Sequence, residues 1–133
     1  MNHELPKLDA IRKMFNLSKD DADVLAANVH LDSVVVYRNY IELDRLMLSA
    51  MPKNVKVRDP RLIETVCLMQ CQDGNAWCRG IAHKSVSDIH NRELSRKKAF
   101  YRAFGAMLSR KSGSYSEYDV DLNEREWHIV GED

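Results

Sequence analysis

Three groups of side chains in this sequence have types and spacings that could do chemistry. Cys67, Cys71 and Cys78 with His83 and His90 offer zinc ligands, but structural zinc sites take paired cysteines from close knuckles on turns. These thiols lie on apolar runs with strand character, where free cysteine behaves as a small hydrophobe. Nucleophilic catalysis needs a thiol beside a base with a third group orienting it. Cys78 and His83 fall on opposite faces of a strand, because alternation sends odd separations to opposite sides. Glu64 and His83 form a cross-strand acid–base pair, the ordinary currency of sheet edges. No phosphate-cradling glycine loop, dinucleotide fingerprint or H-E-x-x-H helix occurs. The expectation is a protein that is not an enzyme, with no catalytic residue, no metal and no cofactor.

The third group is basic. Arg92, Arg96 and Lys97 cluster where a helix should begin, and Trp77, Arg79 and His83 lie on the strand leading into it. Arginine offers phosphate a planar fork, lysine a point charge, and tryptophan a surface on which a base stacks. The free N–H groups of a helix start add attraction for an anion. Those six residues are the expected ligand-binding set, converging on an anion pocket.

The elements that must position them are legible from turn chemistry and period. Asp73-Gly74 between two apolar runs predicts a two-residue type I′ hairpin turn. That turn sets Glu64 opposite His83, Val66 opposite Ile81, Cys67 opposite Gly80 and Met69 opposite Cys78. Thr65, Cys67, Met69, Cys71, Ala76, Cys78, Gly80 and Ala82 then share one small, soft face. Phe100, Ala103, Phe104, Met107 and Leu108 repeat at helical spacing and would pack on it.

Residues 1–52 read as a helical region, with a first helix opened by Pro6 and a second capped by Ser18. A third, from Asp32 or Ser33 to Pro52, carries Val36, Tyr40, Leu43, Met47 and Met51 on one stripe. Three short helices also raise a helix-turn-helix reading, with Arg38, Asn39 and Arg45 as base readers. Residues 53–133 read as an α+β core, and Tyr118 to Leu122 with a return through His128 and Ile129 predict a C-terminal β-hairpin extending the sheet. The fold class expected is α+β, in a single compact domain, with the hairpin packed on a long basic amphipathic helix.

The chain has 20 basic and 20 acidic residues, yet the zero net charge cancels two poles. Residues 92–111 carry seven positive charges and one negative, and residues 114–133 one positive and seven negative. Such poles screen each other within one molecule or pair between molecules, so a homodimer or higher homo-oligomer is expected. No run reaches the roughly 20 apolar residues of a membrane helix, and the start lacks a signal-peptide layout, which makes a cytoplasmic protein with no membrane contact the expectation.

Two resemblances attach to these residues. Ser95-Arg96-Lys97-Lys98-Ala99 with the alanine-rich stripe after it resembles the second helix of a double-stranded-RNA-binding domain, whose Lys-Lys start straddles phosphates. That family places three strands before this helix. Gly80-Ile81-Ala82, Asp88, then Ala99 and Arg102-Ala103 are similar in layout to small bacteriophage proteins, some of which counter host defence by capturing nucleotide signals or blocking a nuclease complex. Two functions follow as expectations. One is a binding protein for an anionic, phosphate-bearing ligand, either a signalling nucleotide or nucleic acid. The other is an inhibitor whose acidic segment, Glu117, Asp119, Asp121, Glu124 and Glu126, imitates nucleic acid on a host protein.

Overall fold

The hairpin forms in the expected register and organises everything else. β2 (Arg61–Gln70) and β3 (Trp77–Lys84) pair antiparallel, with Cys67 opposite Gly80, Met69 opposite Cys78 and Glu64 opposite His83. The computed structural model describes residues 5–111 and 128–129. In chain order these form α1 (Leu5–Phe15), α2 (Lys19–Asn28), a 3-10 turn (Leu31–Ser33), β1 (Val35–Glu42), α3 (Arg45–Ser49), β2, β3, α4 (Arg92–Lys111) and β4 (His128–Ile129). The class is α+β, an antiparallel sheet of order β3-β2-β1-β4 with helices.

The turn itself differs from the two-residue form. Cys71 N–H donates to Ala76 O (2.7 Å), and positive φ falls at Gly74 (71°) and Asn75 (54°), not at Asp73 and Gly74. The loop is therefore wider by one residue on each side, which leaves the register unchanged. Gln72 is withdrawn from the ladder because it serves α2. Its N–H donates to Asn28 O (2.9 Å), and its Nε2 donates to Ala26 O and Val29 O (3.0 and 3.1 Å). The hairpin tip thus satisfies carbonyls that a helix C-terminus leaves open.

The predicted third helix is corrected. Val35–Glu42 is a strand, paired antiparallel with β2, and only Arg45–Ser49 is helical. Val34-Val35-Val36-Tyr37 is a β-branched and aromatic run that suits a pleated surface, and a short apolar run carries no period that tells strand from helix. The helix-turn-helix reading falls with it. Asp44 caps the short α3 by accepting the Met47 N–H (2.9 Å).

The face read as small and soft is the core floor. Cys67, Met69, Cys71, Cys78 and Ala82 are buried there with Phe15, Phe100, Ala103, Phe104 and Met107. Phe15 of α1 stacks on Phe100 of α4, ring centroids 4.2 Å apart. Leu108, expected on the stripe, is exposed. The three thiols fill core volume, with Cys71 Sγ 3.6 Å from Cys78 Sγ, and burial pushes the Cys67 thiol far up from its ordinary pKa. β4 joins the far edge, Val35 opposite Ile129 and Val36 opposite His128, so the return strand extends the sheet at β1, away from the hairpin. Tyr118 to Leu122, the other half of the predicted C-terminal hairpin, lies outside the described residues.

Candidate functional site

Antiparallel pairing brings the end of β1, the start of β2, the end of β3 and the start of α4 to one end of the sheet. The connector over 43–60 is anchored there. Arg58 and Asp59 N–H groups donate to Val86 O (2.8 and 3.1 Å) in the β3–α4 link. Lys84, buried on the core side, donates from Nζ to Arg61 O (2.6 Å) and Ser85 O (2.9 Å) and lies 3.5 Å from Asp59 Oδ2. Carbonyls and one carboxylate satisfy a cation that burial would otherwise penalise. Asp59 also takes the Arg61 guanidinium on both oxygens (3.0 and 2.8 Å), and that hydrogen bond holds its carboxyl far below the usual carboxylate range.

Around this clasp, cations gather on the core side. Asn91 Oδ1 accepts the Leu94 N–H (3.0 Å) and caps α4. Arg96, half-buried one turn further on, has its pKa lowered by desolvation first and then by Arg92 and Arg38. Arg38 comes from β1, opposite Thr65. His90 has both ring nitrogens buried and without a hydrogen-bond partner. Burial lowers its pKa, and Arg61, Arg38 and Lys84 add to the effect, which disfavours the charged imidazolium. Arg96 also lines a groove of about 440 Å³ with Lys13 and Met14 of α1 and Glu93. Exposed Arg58 is held to that end by its backbone bond to Val86.

The six residues expected to converge divide between two faces. Arg92, Arg96 and Lys97 lie on α4, which packs on the core face of β2 and β3. Trp77, Arg79 and His83 lie on the opposite face of β3, across from Gln70, Leu68 and Glu64. Trp77 packs with Tyr37, Val66, Leu68 and Ile81 in a second apolar cluster and so is no open stacking platform. His83 is exposed and lines a groove of about 490 Å³ at the open end of that outer face, with Asn39, Ile41, Leu62, Glu64 and Ser85. Strand alternation alone separates the two sets. Arg38, expected on a helix as a base reader, instead joins Arg92 and Arg96 from β1.

The short Gly-x-Ala to Ala-x-x-Arg-Ala pattern meets in space, as a packing joint. A Cβ at Gly80 would overlap the backbone of Ala99 and Ala103, so α4 lies directly against β3 there. Arg102 donates to Ile81 O across the same contact. Asp88 accepts from Ser85 N–H and Oγ (3.2 and 3.0 Å), which fixes the link and lowers the Asp88 pKa. Comparison with protein-family models, curated proteins and solved structures finds no match. Among the described residues no cluster of three or more metal-ligating side chains occurs, and no helix is long and apolar enough to cross a membrane. Glu117, Asp119, Asp121, Glu124 and Glu126 lie outside the described residues.

Proposed function

We propose that this protein is a non-enzymatic binder of nucleic acid that takes the phosphate backbone at the end of the sheet where α4 begins. One observation carries the reading: Arg92 and Arg96, one turn apart at the start of α4, and Arg38 on the core side of β1 are gathered from elements distant in sequence, near enough that Arg92 and Arg38 add to the desolvation that lowers the Arg96 pKa. Arginines brought together from two elements offer planar forks that fit phosphate oxygens. Exposed Arg58, held by its backbone to the β3–α4 link, adds a cation at the same end. Cations spread over one end of a molecule suit a polyanion better than an enclosed nucleotide, which favours nucleic acid over a signalling nucleotide within the expected ligand class.

The test is fluorescence anisotropy of a labelled oligonucleotide, single- and double-stranded, against the full chain. Replacing Arg92→Gln and Arg96→Gln together should weaken binding about tenfold or more at low salt, with the melting temperature essentially unchanged. Undiminished affinity in a folded double variant would overturn the proposal.

A further inference from the structure

On the outer face, behind the cationic end, the geometry points to a recognition site for an unpaired guanine base. Five of the residues lining the outer groove stand in two rows across the sheet. Asn39, Glu64 and His83 are in register on β1, β2 and β3, and Ile41 and Leu62 are in register two residues further along β1 and β2. Successive residues on one face of a strand are separated by about 7 Å, so a polar row runs beside an apolar one at roughly the width of a base.

The polar row has a definite donor–acceptor order. Asn39 Nδ2 donates to Glu64 Oε1 (3.3 Å). A carboxylate only accepts, so the amide must turn its NH2 toward it, and the second hydrogen of that NH2 is left to donate elsewhere. Asn39 and Glu64 together therefore present a donor beside two acceptor oxygens. Guanine carries the complement along its Watson–Crick edge: the O6 acceptor, then N1–H, then the N2 amino group. Of the four common bases it alone offers two adjacent N–H donors there, and a carboxylate takes such a pair as it takes a bidentate guanidinium.

The apolar row supplies the surface for the ring. Ile41 is 62% exposed and Leu62 38%, both large apolar side chains facing the groove. His83, exposed at the other end of the polar row, adds an imidazole on which a base can stack. At about 490 Å³ the groove is within the range of small-ligand sites and holds one base without closing over it. Such an edge is free only in a single strand, a loop or a bulge, and His83 and Lys84 line both this groove and the pocket at the α4 start formed with Asn91, Ser95 and Lys98. A strand held by its phosphates on the cationic side can thus turn a base over the end of β3 into the groove. The inference rests on the nucleic-acid reading for the polymer that delivers the base, while the base site itself needs no phosphate.

The experiment is an amide chemical-shift titration of the full chain with the four nucleosides, which carry no phosphate. Guanosine should shift the amides of Asn39, Leu62, Glu64 and His83 saturably, at least about tenfold more tightly than adenosine, cytidine or uridine. Glu64→Gln, which keeps the shape and removes the acceptor pair, should abolish that preference in a protein whose spectrum is otherwise unchanged, and Asn39→Ala should reduce it. Four nucleosides bound alike, shifts that avoid the groove, an unaffected Glu64→Gln variant, or shifts that track protein concentration because a second copy covers Ile41 and Leu62 would each overturn the proposal. Loss of oligonucleotide binding in the Arg92→Gln/Arg96→Gln variant with guanosine binding retained supports the base site independently of the phosphate surface. Guanosine binding absent while oligonucleotide binding persists removes the base site and leaves the phosphate surface standing.

Discussion

The two faces of the β2–β3 hairpin are built from alternate residues of the same strands, yet they obey different rules. The core face carries Thr65, Cys67, Cys71, Cys78, Gly80 and Ala82, small where α4 lies against Gly80 at backbone distance, with the larger Ile63, Met69 and Lys84 beside them. The outer face is divided lengthwise. Tyr37, Val66 and Leu68 are buried at the turn end, while Asn39, Ile41, Leu62, Glu64 and His83 open to solvent at the other. Where packing dictates the residue, volume is fixed more tightly than chemistry. On the open end, size is free and the chemistry is specific.

The comparison can be broken first, and with the largest effect, at Gly80. Gly80→Ala should destabilise the fold by about 3 kcal/mol or more, since the new methyl meets helix backbone that cannot rotate away. Chemical denaturation checks this, and a near-neutral result would mean that α4 is not seated on β3 as described.

A smaller effect is expected at His90. Its pKa in the folded protein is lowered below the ordinary histidine value by burial and by Arg61, Arg38 and Lys84. The unfolded chain therefore takes up the proton first as pH falls. Stability present above the unfolded value of about 6.5 should decline as pH drops through the histidine range toward the folded pKa. His90→Asn should flatten that decline in a series of melts across the range, and an identical profile in the variant would contradict the neutral, crowded imidazole.

The smallest effects belong to the open end of the outer face. His83→Ala and Glu64→Gln should each change stability by no more than about 0.5 kcal/mol, as for surface positions without a packing role. A large loss at either would show that the groove is structural and erase the contrast between the faces.

How much of this was legible in the sequence follows from which interactions are local. The hairpin register, the cysteine floor and the phenylalanine stripe depend on turn chemistry and short periods, and they are present as expected. β1 was hidden because Val34 to Tyr37 is too short and too uniformly apolar to show a period, and the residues after it fit a helical stripe by coincidence. Reading β1 as a helix put Arg38 and Asn39 on the wrong element and concealed that Arg38 sits near Arg96 and that Asn39 pairs with Glu64. Both depend on long-range pairing that single-sequence spacing does not encode. The expected grouping of Arg79 and His83 with Arg92 and Arg96 joined neighbours in sequence that the pleat sends to opposite sides. Gly80, Ala99 and Arg102-Ala103, spaced apart in the sequence, meet in the structure and form the β3–α4 packing joint.

The most direct measurement of the central claim is the salt dependence of oligonucleotide affinity in single-arginine variants. Each phosphate contact adds about one to the slope of log affinity against log salt. Arg38→Ala and Arg96→Ala should each flatten that slope by about one, and Arg79→Ala, on the opposite face, should leave it as in the parent protein. A slope that moves with Arg79 and ignores Arg38 and Arg96 would contradict the placement of the phosphate surface at the start of α4.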